Sequence, residues 1–309
     1  MLDIKKYSKP GRYFGLFLGI GMALTASAPV KAQLSELGNM YFTNQYFANP
    51  AMAGLTEGLN LNLAYRRQFT EIAQTPNLSS LTAEYGLGEK MGVGLNVYTD
   101  QVGVFRSTRA MVSYAYHLPL NANDAKLNFG ISAGLMSERL STGDMVGGAN
   151  DPSVAAFNDR GNYFDGDLGI SYTDGKLTLQ ASAPNFMGFF RDYTMEGLSN
   201  RGMIFAAASY KSKLNLDGVN PLGIEPKFVY RKIAGYEALF DAGANLTFLQ
   251  EKLSIMGLYH SDLSFTAGAG VRIKDALGIT GMYRSATGDP QNFSYSKFEI
   301  GLQLKLSRN

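Results

Sequence analysis

The feature that most constrains this chain is a period-two alternation of apolar with small or polar residues, repeated many times from residue 57 onward. Leu59, Leu61, Leu63 and Tyr65 alternate with Asn60, Asn62, Ala64 and Arg66. Leu127, Phe129, Ile131, Ala133 and Leu135 alternate with Asn128, Gly130, Ser132 and Gly134, and the last such run is Phe298, Ile300, Leu302, Leu304 and Leu306. Successive residues of a strand point to opposite faces, so each set lies on one face. We read fourteen strands, near 57–67, 78–86, 90–99, 105–118, 125–138, 162–173, 176–184, 201–211, 222–232, 236–249, 252–260, 263–273, 276–285 and 295–306. No convincing helix is expected among or between them.

The connections alternate in length. Asp174-Gly175 reads as a type I′ hairpin, and the Gln250-Glu251 and Lys274-Asp275 junctions are equally short. On the other side the connections at 68–77, 139–161, 185–200 and 286–294 are long. Two connections on that side, after 222–232 and after 252–260, are short. The one at 212–221 is long on the side of the tight turns. An even strand number, segments of roughly ten alternating residues and turns of unequal length predict an all-β fold, a transmembrane outer-membrane β-barrel of about fourteen antiparallel strands. A sheet facing lipid cannot leave an edge, so it closes. The competing fold, a secreted β-sandwich pair, would bury its apolar face instead.

Composition agrees. Only 17% of residues are charged, against ~25% for soluble domains, while the chain carries 35 Gly, 19 Phe and 18 Tyr. With no Cys, disulfides, thiol nucleophiles and Cys-ligated zinc are excluded. Tyr65, Tyr85, Tyr98, Tyr172, Tyr210, Tyr230, Tyr259 and Tyr283 fall near strand ends, as an interfacial girdle would place them. Arg66, Glu84, Asp167, Glu225, Lys227, Arg231, Asp241, Arg272 and Glu299 lie within strands. Alternation assigns them to the interior, where they are expected mainly to pair with one another. On the lipid face an Arg or Lys near mid-membrane would cost about 2–4 kcal/mol.

Three regions are expected: 1–32, 33–56 and the barrel, 57–309. Lys5, Lys6, Lys9 and Arg12 precede an apolar stretch from Tyr13 to Ala26, and Val30-Lys31-Ala32 suits signal peptidase, so 1–32 reads as a signal peptide. Cleavage after Ala28 is the close alternative. Removing 1–32 takes away Lys5, Lys6, Lys9, Arg12, Lys31 and Asp3. That leaves 23 basic residues against 25 acidic, a net of −2, which removes any charge argument for nucleic acid. Segment 33–56 is aromatic-rich and too short to fold alone. It is expected to pack into the periplasmic mouth or the interior, where small residues leave room, with Asn49-Pro50 making a turn and Gly54 releasing the chain into the first strand. The alternative is a free periplasmic tail.

Within this stretch, Tyr41-Phe42-Thr43-Asn44-Gln45-Tyr46-Phe47-Ala48-Asn49-Pro50-Ala51-Met52-Ala53-Gly54 resembles the N-terminal signature of the PorP/SprF family, an aromatic segment running into Asn-Pro-Ala-x-Ala-Gly. Tyr65-Arg66-Arg67-Gln68-Phe69 is similar to the family's Tyr-Arg-x-Gln-aromatic element, with Phe where Trp is common, and Thr75-Pro76 follows. Gly92-Val93-Gly94-Leu95 and then Asp100-Gln101-Val102-Gly103 resemble its glycine-rich strand and Asp-x-x-Gly turn. The motif positions are therefore Asn49, Pro50, Gly54, Tyr65, Arg66, Gln68, Asp100 and Gly103. The resemblance spans 41–103 in order and spacing; the rest agrees in length and pattern. It implies a multi-pass outer-membrane protein of Bacteroidota that works with other components of the type IX secretion system in protein secretion or gliding motility. In that role it would be a cargo-specific partner or cell-surface anchor for secreted adhesin-like proteins, held through a type B C-terminal domain. The even strand count puts both termini in the periplasm. The second reading is an outer-membrane channel for small hydrophobic or polar solutes.

No enzyme and no cofactor are expected. His260-Ser261-Asp262 cannot act as a triad, because consecutive strand residues face opposite ways. His117 reads as a polar residue lining the mouth. Asp144, Asp151, Asp159, Asp165 and Asp167 match no regular calcium loop and read as a solvated surface.

Overall fold

The computed structural model describes residues 40–69, 75–120, 124–141, 152–190, 201–215, 221–286 and 296–306. The expected signal peptide, residues 33–39, Asp144 and Asp151 lie outside them. The strands are β1 (Gly58–Gln68), β2 (Asn77–Gly86), β3 (Met91–Val102), β4 (Phe105–Pro119), β5 (Lys126–Leu140), β6 (Tyr163–Thr173), β7 (Leu177–Ala183), β8 (Met203–Tyr210), β9 (Ser212–Leu214), β10 (Leu222–Ile233), β11 (Ala238–Phe248), β12 (Leu253–His260), β13 (Phe265–Ile273), β14 (Leu277–Arg284) and β15 (Lys297–Leu306). Each pairs antiparallel with its neighbours, and β15 pairs with β1 from Leu59↔Leu306 to Gln68↔Lys297. β8 and β9 both lie along β10 and form one interrupted stave. Among the described residues the result is a closed antiparallel barrel of fourteen staves.

Alternation sets which side chains face out. Along β4 the burial alternates residue by residue from Ser107 to His117. Leu63, Val112, Ile131, Phe164, Phe228 and Ile255 are exposed on the outer surface, while Asn62, Ser113, Ser132, Asp165, Lys227 and Met256 are buried on the inner one. An apolar exterior around a polar, closed interior suits a bilayer, in which the strands satisfy every backbone group between themselves. No described helix is long and apolar enough to cross a membrane.

Three local features differ from expectation. A short helix, α1 (Pro152–Asn158), forms inside the 139–161 connection. Proline suits its first turn, and Asn158 ties it to β5 by accepting from Leu140 N (2.7 Å) and donating to Leu140 O (2.9 Å). Seven residues are too few for a helical period to register. The β6–β7 hairpin is not type I′. Its central residues are Gly175 (φ +79) and Lys176, and only the first has positive φ, the II′ pattern, while Asp174 accepts from the Lys176 and Leu177 amides. Tyr98 does not join a girdle. It is an inward residue of β3, 3% exposed, edge-on to Phe47 at 5.8 Å, whereas Tyr65, Tyr210, Tyr259 and Tyr283 are exposed outside.

Candidate functional site

The interior is the candidate site, and its main occupant is the chain itself. Residues 40–56 contact inward side chains on nine strands around the ring, so this stretch lies inside it. Asn49 begins a 3-10 turn, Pro50–Met52, accepting from the Ala51 amide (3.0 Å) and donating to Ile170 O (3.1 Å). Gly54 has φ +63, and its amide donates to Glu84 Oε2 (3.0 Å) as the chain turns toward β1.

The wall along β2–β7 is shaped for close approach. An added Cβ would collide with Ala53 at Gly92, with the Tyr46 ring at Gly94, with Pro50 and Ala51 at Gly130, and with Asn49 at Gly169. Between these bare positions, polar groups meet the segment: Thr82 accepts from Asn44 (2.9 Å), Tyr46 OH meets Ser113 Oγ (2.7 Å), Gln180 donates to Gln45 (2.6 Å), Ser182 donates to Ala48 O (2.7 Å) and His117 Nε2 donates to Ala53 O (3.1 Å).

Across the interior, fewer groups reach the segment. Tyr41 OH donates to Asp241 Oδ2 (2.9 Å), Lys227 donates to Tyr41 O (2.6 Å) and Gln303 to Thr43 O (3.3 Å). Below them, at the end of the tight turns, lies a cavity of about 370 Å³ between the segment, β9–β15 and β1, with Glu84 of β2 at its edge, lined by Lys213, Glu225, Glu251, Arg272, Thr280 and Lys305 among others.

The interior charges pair mainly with near neighbours. Asp241 accepts from Arg231 Nη2 (2.8 Å) and from His260 Nδ1 (2.7 Å) as well as from Tyr41. Arg109 pairs with Asp167, and Lys227 lies 3.5 Å from Glu225. Outside the strands, burial raises the Tyr41 and Tyr46 phenols well above their ordinary value, so both stay neutral donors.

The eight motif positions do not converge. Asn49, Pro50 and Gly54 sit inside, toward the tight turns. Tyr65, Arg66, Gln68, Asp100 and Gly103 (φ +59) gather at the opposite end. There Tyr65 faces outward at 46% exposure. Arg66 lies in an inward row, in register with Glu299 and Leu78, and Leu78 is in register with Asp100. Gln68 N closes the base of the β1–β2 connection on Pro76 O.

His260, Ser261 and Asp262 diverge. His260 turns to Asp241, the Ser261 hydroxyl accepts from Phe240 N (3.0 Å) and Asp262 pairs with Arg284. His117 is not an open mouth residue but 1% exposed beneath Ala53. Asp165 and Asp167 are not solvated. They are buried in β6, where Asp165 accepts from Met187 N (3.1 Å) and Asp167 from Asn185 N (3.0 Å), folding the start of the β7–β8 connection inward. Their in-strand parity with Gly169 was the signal for this. Tyr41, Tyr46, Ser113 and Asp241 were not singled out as a contact set, and nothing local marks them as one.

The architecture has counterparts among solved structures. The toluene transporter TbuX of Ralstonia pickettii superposes with a TM-score of 0.50 at 12% identity, over 84% of this chain and 92% of that one. The outer membrane protein Omp33 of Acinetobacter baumannii superposes with a TM-score of 0.48 at 10% identity, over 82% and 100%. At such identity the first shows a shared outer-membrane barrel fold and nothing finer. A comparison with curated proteins gave no match. Sequence decides the family. Residues 30–304, which include the inserted segment and nearly the whole barrel, match the type IX secretion system membrane protein PorP/SprF, and the chain belongs to that family.

Proposed function

We propose that this barrel resides in the outer membrane with both termini in the periplasm, and that it serves type IX secretion as a cargo-specific partner or surface anchor. Its cargo would be secreted, adhesin-like proteins bearing a type B C-terminal domain, and other secretion components would complete the assembly. The observation that carries this reading is the occupied interior. Asn44, Tyr46, Asn49 and Ala53 are held by side chains or backbone of β2, β4, β6 and β7, which supports 40–56 acting as a plug and the barrel working by docking rather than conduction. The end of the barrel that carries the β5–β6 and β7–β8 connections would then lie at the cell surface and meet the cargo.

The test is deletion of the gene, followed by quantitative mass spectrometry of medium and cell surface. Loss of one or a few proteins sharing a C-terminal domain is the expected result. Loss of every such protein would instead make this a core component, and an unchanged profile would end the secretion reading. The channel reading has one feature in its favour, the cavity beside β9–β15. Steady conductance of the intact barrel in planar bilayers, equal to that of a 33–56 deletion, would support it.

A further inference from the structure

The outer face of β4 and β5 carries an arrangement that the docking role does not use. Arg106 and Arg139 stand directly opposite each other in register, both exposed, at the end of the barrel with the longer connections. Like charges facing each other across two strands are unfavourable without a counter-ion. Among the described residues neither arginine forms an ion pair, and Arg139 Nη1 donates only to Asn158 O (2.9 Å). That bond sets α1 beside the pair. Phe157 of α1 packs edge-on to Phe105 at 6.1 Å, and the Arg160 guanidinium lies 4.7 Å over the Phe157 ring. Arg139 therefore touches α1 directly, and Arg160 lies against the same helix. Among the described residues close in sequence, Asp159 is exposed next to Arg160, and Glu138 falls on the inward side of β5.

The register continues this order down both strands. Arg106 and Arg139 are followed by Thr108 opposite Ser137, and then by Ala110 opposite Leu135. Val112 and Ile131, 65% and 54% exposed, lie farther along the same faces. Charge, then hydroxyl, then hydrocarbon matches the layers of a phospholipid or glycolipid from headgroup to acyl chain. Elsewhere on this end the outward positions among the described residues include Tyr230, Tyr259 and Tyr283, which suit an interface without a fixed anion, and a single exposed arginine, Arg67, which stands opposite Phe298 and Asn77 rather than a second arginine. A guanidinium is planar, always charged and weakly hydrated, and it grips phosphate through two parallel bonds.

We infer that Arg106 and Arg139 form a binding site for the phosphate of an anionic membrane lipid, seated against the barrel wall over Thr108 and Ser137. This rests on the membrane placement proposed above. The full-length barrel would be reconstituted into phosphatidylcholine nanodiscs doped with bisphosphorylated lipid A or with its dephosphorylated form. It would then be re-extracted in detergent and its bound lipid counted by native mass spectrometry. The wild type should retain the phosphorylated form selectively. The Arg106→Gln/Arg139→Gln variant should retain about thirtyfold less, since each of the two arginines near the surface contributes on the order of 1 kcal/mol. Arg106→Lys/Arg139→Lys should fall between them, and its gel mobility with and without heating reports that the barrel has folded. Equal retention by the wild type and the Gln variant would overturn the site. So would displacement of the lipid by inorganic phosphate, which would assign the arginines to a free anion. Loss of a co-purifying acidic protein with lipid unchanged would overturn it in favour of a protein contact. Failure of the wild type to insert at all, seen as protease-accessible strands, would instead refute the membrane placement.

Discussion

The two sides of the barrel interior are built from similar residues and behave differently. Along β2–β7, glycines 92, 94, 130 and 169 are covered by the chain's own 46–53 stretch, so closely that no Cβ would fit. Along β10–β15, the inward Gly223, Gly243, Gly268 and Gly270 are crowded only by atoms of neighbouring strands, Gly301 has no atom nearer its missing Cβ than 3.9 Å, and a cavity lies between the wall and the segment. On the first side small residues are a contact surface. On the second they leave space, and the segment is held by a few strong polar groups centred on Asp241. Small inward residues alone therefore do not distinguish a packed wall from an open one.

The largest expected effect lies on the sparsely contacted side. Asp241→Asn removes the charge that Arg231, His260 and Tyr41 all address, taking the carboxylate from a buried guanidinium. A loss of about 3–5 kcal/mol is expected, read from denaturant unfolding of the purified barrel in lipid vesicles. A change below about 1 kcal/mol would mean the Asp241 cluster does not anchor this side.

Next comes a matched pair that tests the comparison directly. Gly130→Val drives side-chain atoms into Pro50 and Ala51 and should cost about 1–3 kcal/mol by overpacking, with 40–56 becoming susceptible to limited proteolysis. Gly301→Val points into open space and should stay within about 0.5 kcal/mol of the wild type. If the two variants behave alike, the distinction between the walls fails. Tyr46→Phe keeps the ring against Gly94 and deletes only the hydroxyl that meets Ser113, so a loss of about 0.5–1.5 kcal/mol is expected by the same unfolding assay.

The smallest effect is a pH dependence in the β12–β13 turn. Burial alone would raise the Asp262 carboxyl, but Arg284 and the Ser264 donors outweigh it and hold the group below the ordinary carboxylate range. A lowered folded value means that its contribution is complete above the unfolded pKa of ~3.9 and is lost as the pH falls through the folded one. Stability should therefore drop below about pH 4, in a step that Asp262→Asn removes. An unchanged acid limb in that variant would show that the pair contributes nothing measurable.

Much of the fold was legible because it rests on local chemistry. Each strand announces itself by which of its own neighbours are apolar, and β4, expected at 105–118, spans Phe105–Pro119. The exceptions are places where distant partners overrule local pattern. Tyr98 reads as an end-of-strand aromatic until Phe47 is found against it. Asp165 reads as a loop acid until the Met187 amide reaches it, and Asp167, which read both as an interior strand charge and as a loop acid, proves to be the former, paired with Arg109. The interior glycines were legible as room, but not as occupied or vacant room.

The sequence by itself determined a closed barrel with an apolar exterior, because alternation is a property of adjacent residues and a bilayer tolerates no open edge. It also carried the resemblance to the PorP/SprF family, read in part at Asn49, Pro50 and Gly54. Only the tertiary structure decided which wall receives 40–56 and which keeps a cavity. Those contacts join residues as far apart as Thr43 and Gln303, 260 positions along the chain, and closing the ring is what brings them within hydrogen-bond reach.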